Sequence, residues 1–180
     1  MWGACGIPGR GGIGGCLLGI YFLARGNGLA LAGGAATVGC CCNMLGFAVI
    51  SYPDNGVGGL VAQGLGTSML QVPNLMRKPV LWIPPVLTSA ILGPVATCIF
   101  QLRNNGAAIS SGMGTAGLVG PIGIITGWSN MPKGYAPGAF DWVGMILVCF
   151  ILPVVLSWAI GKFMRKKGWI KEGDLKVDLG

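Results

Sequence analysis

Gly64-Leu65-Gly66-Thr67-Ser68-Met69-Leu70-Gln71-Val72-Pro73 is answered farther along by Gly112-Met113-Gly114-Thr115-Ala116-Gly117-Leu118-Val119-Gly120-Pro121. Both stretches read G-x-G-T-[S/A]-x-L-x-x-P. A polar turn precedes each, Asp54-Asn55-Gly56 before the first and Asn104-Asn105-Gly106 before the second. A long hydrophobic run interrupted by proline follows each one. The chain therefore uses one structural unit twice. Glycine and proline at this density make a poor continuous helix. In a membrane-embedded chain, a duplicated and interrupted apolar segment points to the substrate site.

Composition establishes the membrane premise independently. Hydrophobic residues make up 53% of the chain and charged residues 9%, with a mean hydropathy of +0.71. A soluble domain carries roughly 25% charge. Charge-free stretches run over 26–53, 55–76, 79–102, 104–132 and 142–161. Each is long enough to cross or deeply enter a bilayer, given about 20 residues per helical crossing. The expected fold is an all-α integral membrane protein: transmembrane helices plus two glycine-rich broken or re-entrant segments, related as an inverted internal repeat.

The net charge of +7 is not arranged as a nucleic-acid-binding stripe. Arg77 and Lys78 precede one apolar run, Arg103 follows it, and Lys162, Arg165, Lys166 and Lys167 close the last. Cytoplasmic flanks of transmembrane helices collect lysine and arginine in this way, so the C-terminus is expected in the cytoplasm. The same cluster suits anionic lipid or a partner protein. If each G-x-G-T segment dips in and returns to its own side, Arg77 and Lys78 lie inside and Arg103 outside. Full crossings would invert those three positions.

Histidine is absent and the seven cysteines, Cys40-Cys41-Cys42 among them, form no C-x-x-C pair. No metal site and no cofactor are expected, and the cysteines read as reduced thiols packed between helices. With no histidine, the chain also lacks the commonest general base and any phosphohistidine.

Segment 1–27 is an atypical N-terminal stretch whose apolar run, 13–24, is too short for a crossing and fits a signal peptide poorly. The membrane domain is expected over 28–163, with repeat units at about 54–102 and 104–163, followed by a basic tail over 164–180. Spanning helices are expected over Leu29–Ser51, Trp82–Gln101 and Trp142–Phe163, with a polar loop over Ser129–Asp141. Gly33, Gly34, Ala35, Ala36 and Gly39 provide the first helix with a small-residue face for close packing. Ile91-Leu92-Gly93-Pro94 and Phe150-Ile151-Leu152-Pro153 occupy comparable places in the two units.

Several stretches carry a family resemblance: Gly33-Gly34-Ala35-Ala36-Thr37-Val38-Gly39, Asp54-Asn55-Gly56, Gly59 through Asn74, Trp82-Ile83-Pro84-Pro85, Ile91-Leu92-Gly93-Pro94 and Gly112-Met113-Gly114-Thr115. The closing Arg165-Lys166-Lys167-Gly168-Trp169-Ile170-Lys171-Glu172-Gly173-Asp174-Leu175 extends it. Over residues 28–180 the chain resembles the C-terminal half of the PfoR-like family of phosphotransferase-system (PTS) sugar transporter IIC subunits. The resemblance implies a multi-pass component of the bacterial inner membrane that binds and translocates a sugar, while a separate phosphorylated IIB protein, itself served by IIA, phosphorylates it. A homodimer, or the N-terminal half that members of that family carry, is expected to complete the wall around the ligand, because the apolar segments of one chain make a thin bundle. The family name also attaches to regulation, so a membrane regulator or sensor without productive transport is the alternative. Either way the chain is a permease-type subunit with no phosphoryl-carrying residue of its own, and no nucleic-acid partner is expected.

A neutral polyol needs amides and hydroxyls in a mostly apolar cavity. The first unit offers Asn55, Gln63, Thr67, Ser68 and Gln71; the second offers Asn104, Asn105, Ser110, Ser111 and Thr115. Gly64, Gly66, Gly112 and Gly114 would let main chain approach the ligand. The same glycines and hydroxyls also suit plain helix packing. Asp54 is the candidate for orienting or deprotonating a sugar hydroxyl, against a simpler reading as a helix cap. Asp141 reads as a cap.

Overall fold

The computed structural model describes residues 28–104, 108–129, 137–171 and 173–177. The N-terminal segment 1–27, Asn105 and most of the 129–141 loop lie outside these. Among the described residues the fold is all-α, and three apolar stretches are long enough to cross a membrane: Ala32–Ile50, Pro79–Ile99 and Ala139–Lys166. They correspond to the three expected spanning helices. The two remaining charge-free runs are the G-x-G-T copies, which form short, interrupted pieces.

Helix α1 (Gly28–Ile50) is the axis of the bundle, buried on all sides from Gly34 onward apart from a few partly exposed positions. No single face of it is polar, as expected of a helix surrounded by protein. Small residues allow the neighbours in. A Cβ on Gly46 would sit 2.9 Å from Ser157 Oγ and 3.1 Å from Pro85 Cβ, so α4 (Ile83–Pro94) and α8 (Leu152–Lys166) both press against main chain there. Such close approach drives helix association in lipid, where hydrophobicity discriminates nothing.

The same contacts orient the helices. Gly34 meets the Leu102 main chain while Gly46 meets Pro85, so the stretch from α4 to Leu102 runs antiparallel to α1. Gly46 meets Ser157 and Ile50 meets Gly161, so α8 runs parallel to α1. The C-termini of α1 and α8 and the start of α4 therefore share one end of the bundle. Arg165 Nη2 donates to the Ile50 carbonyl there at 3.1 Å, placing a cation at a helix C-terminus where the dipole favours it.

The first copy connects α1 to α4 at that end. Helix α2 (Tyr52–Val61) is kinked at Gly56, whose φ of 61° is open to glycine. A π turn (Ala62–Gly66), an extended Thr67, a 3₁₀ turn (Ser68–Gln71) and α3 (Val72–Arg77) follow. The second copy comprises α5 (Ala108–Met113), a reversal at Gly114 with φ 56°, a 3₁₀ turn (Ala116–Leu118) and α6 (Val119–Ser129). Both copies break within the G-T step.

The third span is α7 (Ala139–Ile146), a π turn (Leu147–Ile151) and α8. Asp141 Oδ2 accepts from Gly138 N at 2.9 Å, closing the start of α7 as a cap. The paired prolines differ in detail: a π turn (Val95–Ile99) follows Pro94, whereas the other precedes Pro153. In each case the widened turn accommodates the register lost where proline supplies no N–H.

Two apolar clusters hold the bundle. One gathers Val38, Cys41, Cys42, Leu92, Ile124 and Val148; the other gathers Phe47, Ile50, Leu75, Leu81, Met164, Ile170 and Leu175 at the basic end. Cys41, Cys42, Cys98 and Cys149 are free thiols, but Cys40 is disulfide-bonded. The expectation of a wholly reduced set is corrected at that position: spacing alone does not show which thiols the fold brings together.

Candidate functional site

The two copies touch. Thr115 Oγ1, fully buried, donates to the Gly64 carbonyl at 2.7 Å. That carbonyl lies in the last turn before Thr67 turns extended, where the helix leaves its final carbonyls without internal partners. Gly114 allows the approach, since it lies against the Cys40–Cys41 main chain of α1 with no room for a side chain. The equivalent threonine of the first copy does another job: Thr67 Oγ1 accepts from Met69 N at 3.2 Å, capping the 3₁₀ turn. Matched motif positions thus carry unmatched roles.

Around the first copy an amide cluster forms. Gln63 Oε1 accepts from Ser51 Oγ and from Gln71 Nε2, both at 3.2 Å. Asn74 Nδ2 donates to Gln71 Oε1 at 3.0 Å. Gln63 and Gln71 are fully buried, and Gln63 Nε2 has no hydrogen-bond partner. A buried, unpaired amide N–H is costly, about 1–3 kcal/mol, unless a guest or water accepts from it.

The chain's own tail meets this cluster. The Leu175 carbonyl accepts from Asn55 Nδ2 at 2.6 Å and from Gln71 Nε2 at 3.0 Å, and Val177 N donates to Asn55 Oδ1 at 2.8 Å. Asn74 Nδ2 also donates to the Lys176 carbonyl at 2.9 Å. Asp54 is held at both oxygens, by Arg165 Nη2 at 3.0 Å and by Gly173 N at 3.1 Å. Its side chain is 4% exposed and that of Arg165 20%. Lys78 Nζ reaches both oxygens of Asp174 at 2.7 and 2.8 Å. Partial burial pushes the Asp174 carboxyl up, but the Lys78 ammonium and the Lys171 N–H outweigh it and hold the group below its ordinary value.

The second copy builds a separate cluster. Asn104 Nδ2 donates to Thr37 Oγ1 at 2.8 Å, its Oδ1 accepts from Ser110 Oγ at 3.2 Å, and Thr37 Oγ1 donates on to the Gly33 carbonyl at 2.8 Å. The sequence-derived set is therefore divided. Asp54, Asn55, Gln63 and Gln71 share one cluster with the tail, Asn104 and Ser110 share another with α1, and Gly64, Gly114 and Thr115 form the seam between copies. Ser68 is buried and Ser111 partly so. A Cβ at Gly66 or Gly112 would meet open space.

Sequence reasoning passed over Ser51, Thr37, Asn74 and the tail. Asn74 stands three residues after Gln71, a spacing that places both on one helical face and could have found it. Thr37 and Gly33 have the i, i+4 relation by which hydroxyls bond back to the helix. The tail contacts, across 96 to 122 residues, leave no local signal. Nor was Asn43 singled out: it is 2% exposed in mid-α1, and neither amide atom has a partner. A cavity of about 240 Å³ opens beside the Asp54–Arg165 pair, lined by Val49, Ile50, Pro53, Trp158, Gly161, Lys162 and Arg165.

Residues 17–177 match the family described as "Phosphotransferase system, EIIC". The chain belongs to that family. No curated protein and no solved structure is significantly similar to it. Membership in the EIIC family implies a membrane-embedded domain, a sugar substrate and IIA and IIB partner proteins. The three apolar helices supply the membrane-spanning body that an EIIC domain requires.

Proposed function

We propose that this EIIC chain binds and translocates a neutral sugar that a separate phosphorylated IIB protein then phosphorylates, and that its two glycine-broken copies form the binding region. The observation that carries the reading is Gln63 Nε2, an unpartnered, fully buried donor in the broken turn of the first copy. It stands one residue from the Gly64 carbonyl that Thr115 of the second copy engages. Unpaired main-chain and amide groups at membrane depth occur where protein or a polar cavity surrounds them, and discontinuous segments of this kind bind substrate in carriers.

The first copy is proposed to enter and leave on one face. This is supported by the shared end of the α1 C-terminus and the α4 N-terminus, and by the Lys78–Asp174 bond there. Arg77, Lys78 and the cations of α8 gather at that end, away from Arg103, which favours a cytoplasmic placement by the positive-inside rule. The inverted-repeat relation, the membership of the PfoR-like branch and a homodimer that completes the wall belong to the same proposal. In it Asn55, Gln63, Ser68 and Gln71 supply hydroxyl-binding groups, while Asn104 and Thr115 hold the second copy against α1 and the first copy. Asp54 faces the phosphorylation end as the group that orients the accepting hydroxyl. One observation favours the second reading, a sensor without productive transport: the first-copy amides are engaged by the tail.

The test is binding of a panel of labelled hexoses, hexitols and ascorbate to the full chain in lipid nanodiscs, with and without Gln63→Glu, which retains the acceptor and replaces the open donor. One panel member should bind, and Gln63→Glu should weaken it at least tenfold. Unchanged affinity removes Gln63 from the site, and no binding by the unaltered protein or by a form whose C-terminal tail is undocked removes the sugar reading.

A further inference from the structure

Residues 173–177 lie across the first copy and are read mostly through their main chain. Asn55 is matched to two positions of that segment at once, donating to the Leu175 carbonyl and accepting from Val177 N. The segment is a turn, closed by Lys176 N donating to the Gly173 carbonyl at 3.2 Å, and one amide reads its carbonyl and its N–H together. Asn74 takes the intervening Lys176 carbonyl. Two side chains anchor the segment: Leu175, which is 1% exposed within the apolar cluster at the basic end, and Asp174, which Lys78 holds at the surface.

The groups engaged are the ones assigned above to a polyol. The Leu175 carbonyl occupies both Asn55 Nδ2 and Gln71 Nε2, and Gly173 N occupies Asp54 Oδ1. Gln71 donates through the same nitrogen to Gln63 Oε1, so the tail is one hydrogen bond from the open donor of Gln63. A peptide carbonyl and a sugar hydroxyl oxygen are equivalent acceptors for an amide N–H. The segment also has the means to lift. Gly168 and Gly173 hold φ of +73° and +88°, flanking the turn after α8, and the Lys78–Asp174 tie is on the surface, with Lys78 44% exposed.

We propose that residues 173–177 are a strap that occupies the first-copy amides as a built-in competitor, and that a polyol reaches Asp54, Asn55 and Gln71 only when the strap lifts. The inference rests on the sugar reading for the identity of the guest, while the docking of the strap is testable without it.

The experiment uses the full chain in nanodiscs and Leu175→Asp, which removes the anchor and leaves every amide in place. Trypsin cleavage after Lys171 and Lys176, followed by mass spectrometry of the released C-terminal peptides, reports docking. Slow cleavage in the unaltered protein and at least tenfold faster cleavage in Leu175→Asp are expected. Equal cleavage overturns the strap. The sugar panel then reports gating: at least tenfold tighter binding by Leu175→Asp is expected, reversed by adding a synthetic peptide of residues 172–180. Equal sugar binding by both forms overturns the gate alone, and no binding by either form removes the sugar reading and the gate together.

Discussion

Alanine placed at Gly114 and at Gly66 should give opposite results, although the motif treats the two glycines as equivalents. At Gly114 two costs combine. A φ of +56° disfavours any residue with a Cβ by about 1–2 kcal/mol. The added carbon would also lie 2.7 Å from Cys40 C and 2.8 Å from Cys41 N, main-chain atoms that cannot rotate aside. Restoring ordinary contact at 3.4 Å requires α1 and the second copy to part by about 0.7 Å, and overpacking of this kind costs about 1–3 kcal/mol. Together these predict a loss of about 2–5 kcal/mol. At Gly66 the carbon meets nothing within 4 Å and φ is not in the left-handed region. There the narrower unfolded ensemble of alanine predicts neutrality or a gain of up to about 1 kcal/mol. The assay is thermal unfolding of both purified variants in one detergent, read by monodispersity after heating. Equal losses at the two positions, or an unaffected Gly114→Ala, would refute the claim that the second copy reaches α1 through that glycine.

Thr115→Val should cost about 1–3 kcal/mol by leaving the Gly64 carbonyl buried and unpaired, and Thr115→Ser should restore most of it in the same assay. For the partly buried ion pair, Arg165→Met should destabilise by about 1–3 kcal/mol, and adding Asp54→Asn should recover part of that loss; strictly additive effects would mean the two groups do not interact. The tail should be pH-sensitive in one direction. Because the folded-state pKa of Asp174 is lowered, its contribution is complete above the ordinary carboxylate value of about 3.9 and is lost as pH falls through the lower folded value. The protection factors of the Lys176 and Val177 amides, exchange rates normalised to the intrinsic rate at each pH, should therefore fall only in that acid window, and a fall between pH 5 and 8 would contradict the assignment. Asn43→Leu should be neutral or stabilising, since it removes two unpartnered buried atoms; marked loss of sugar binding with stability retained would instead mark Asn43 as a ligand.

Much of the architecture was legible because hydropathy and length are local properties. Leu29–Ser51, Trp82–Gln101 and Trp142–Phe163 could be read as helices since apolar runs of that length have few alternatives in lipid. The breaks in the two copies were legible for a similar reason: the glycines and the G-T step weaken helix wherever they stand. The candidate site was only half legible. Residue type identified Asn55, Gln63 and Gln71 as groups needing partners, but which partners they find is a non-local matter. Asn55 reaches Leu175 and Val177, Asp54 reaches Arg165 and Gly173, and Thr115 reaches Gly64.

The sequence by itself determined that this chain has apolar helices of membrane-spanning length, that the G-x-G-T phrase occurs in it twice, and that amides and hydroxyls stand beside both occurrences. Composition and spacing suffice for that, because the bilayer punishes every unpaired polar group regardless of context. Only the tertiary structure decided that equivalent glycines and threonines do different work, that the copies meet at Thr115 and Gly64, and that the tail returns to engage the amides of the first copy. Hydrogen bonds are directional and short, so their pairing depends on which segments the helix packing delivers to the same few ångströms.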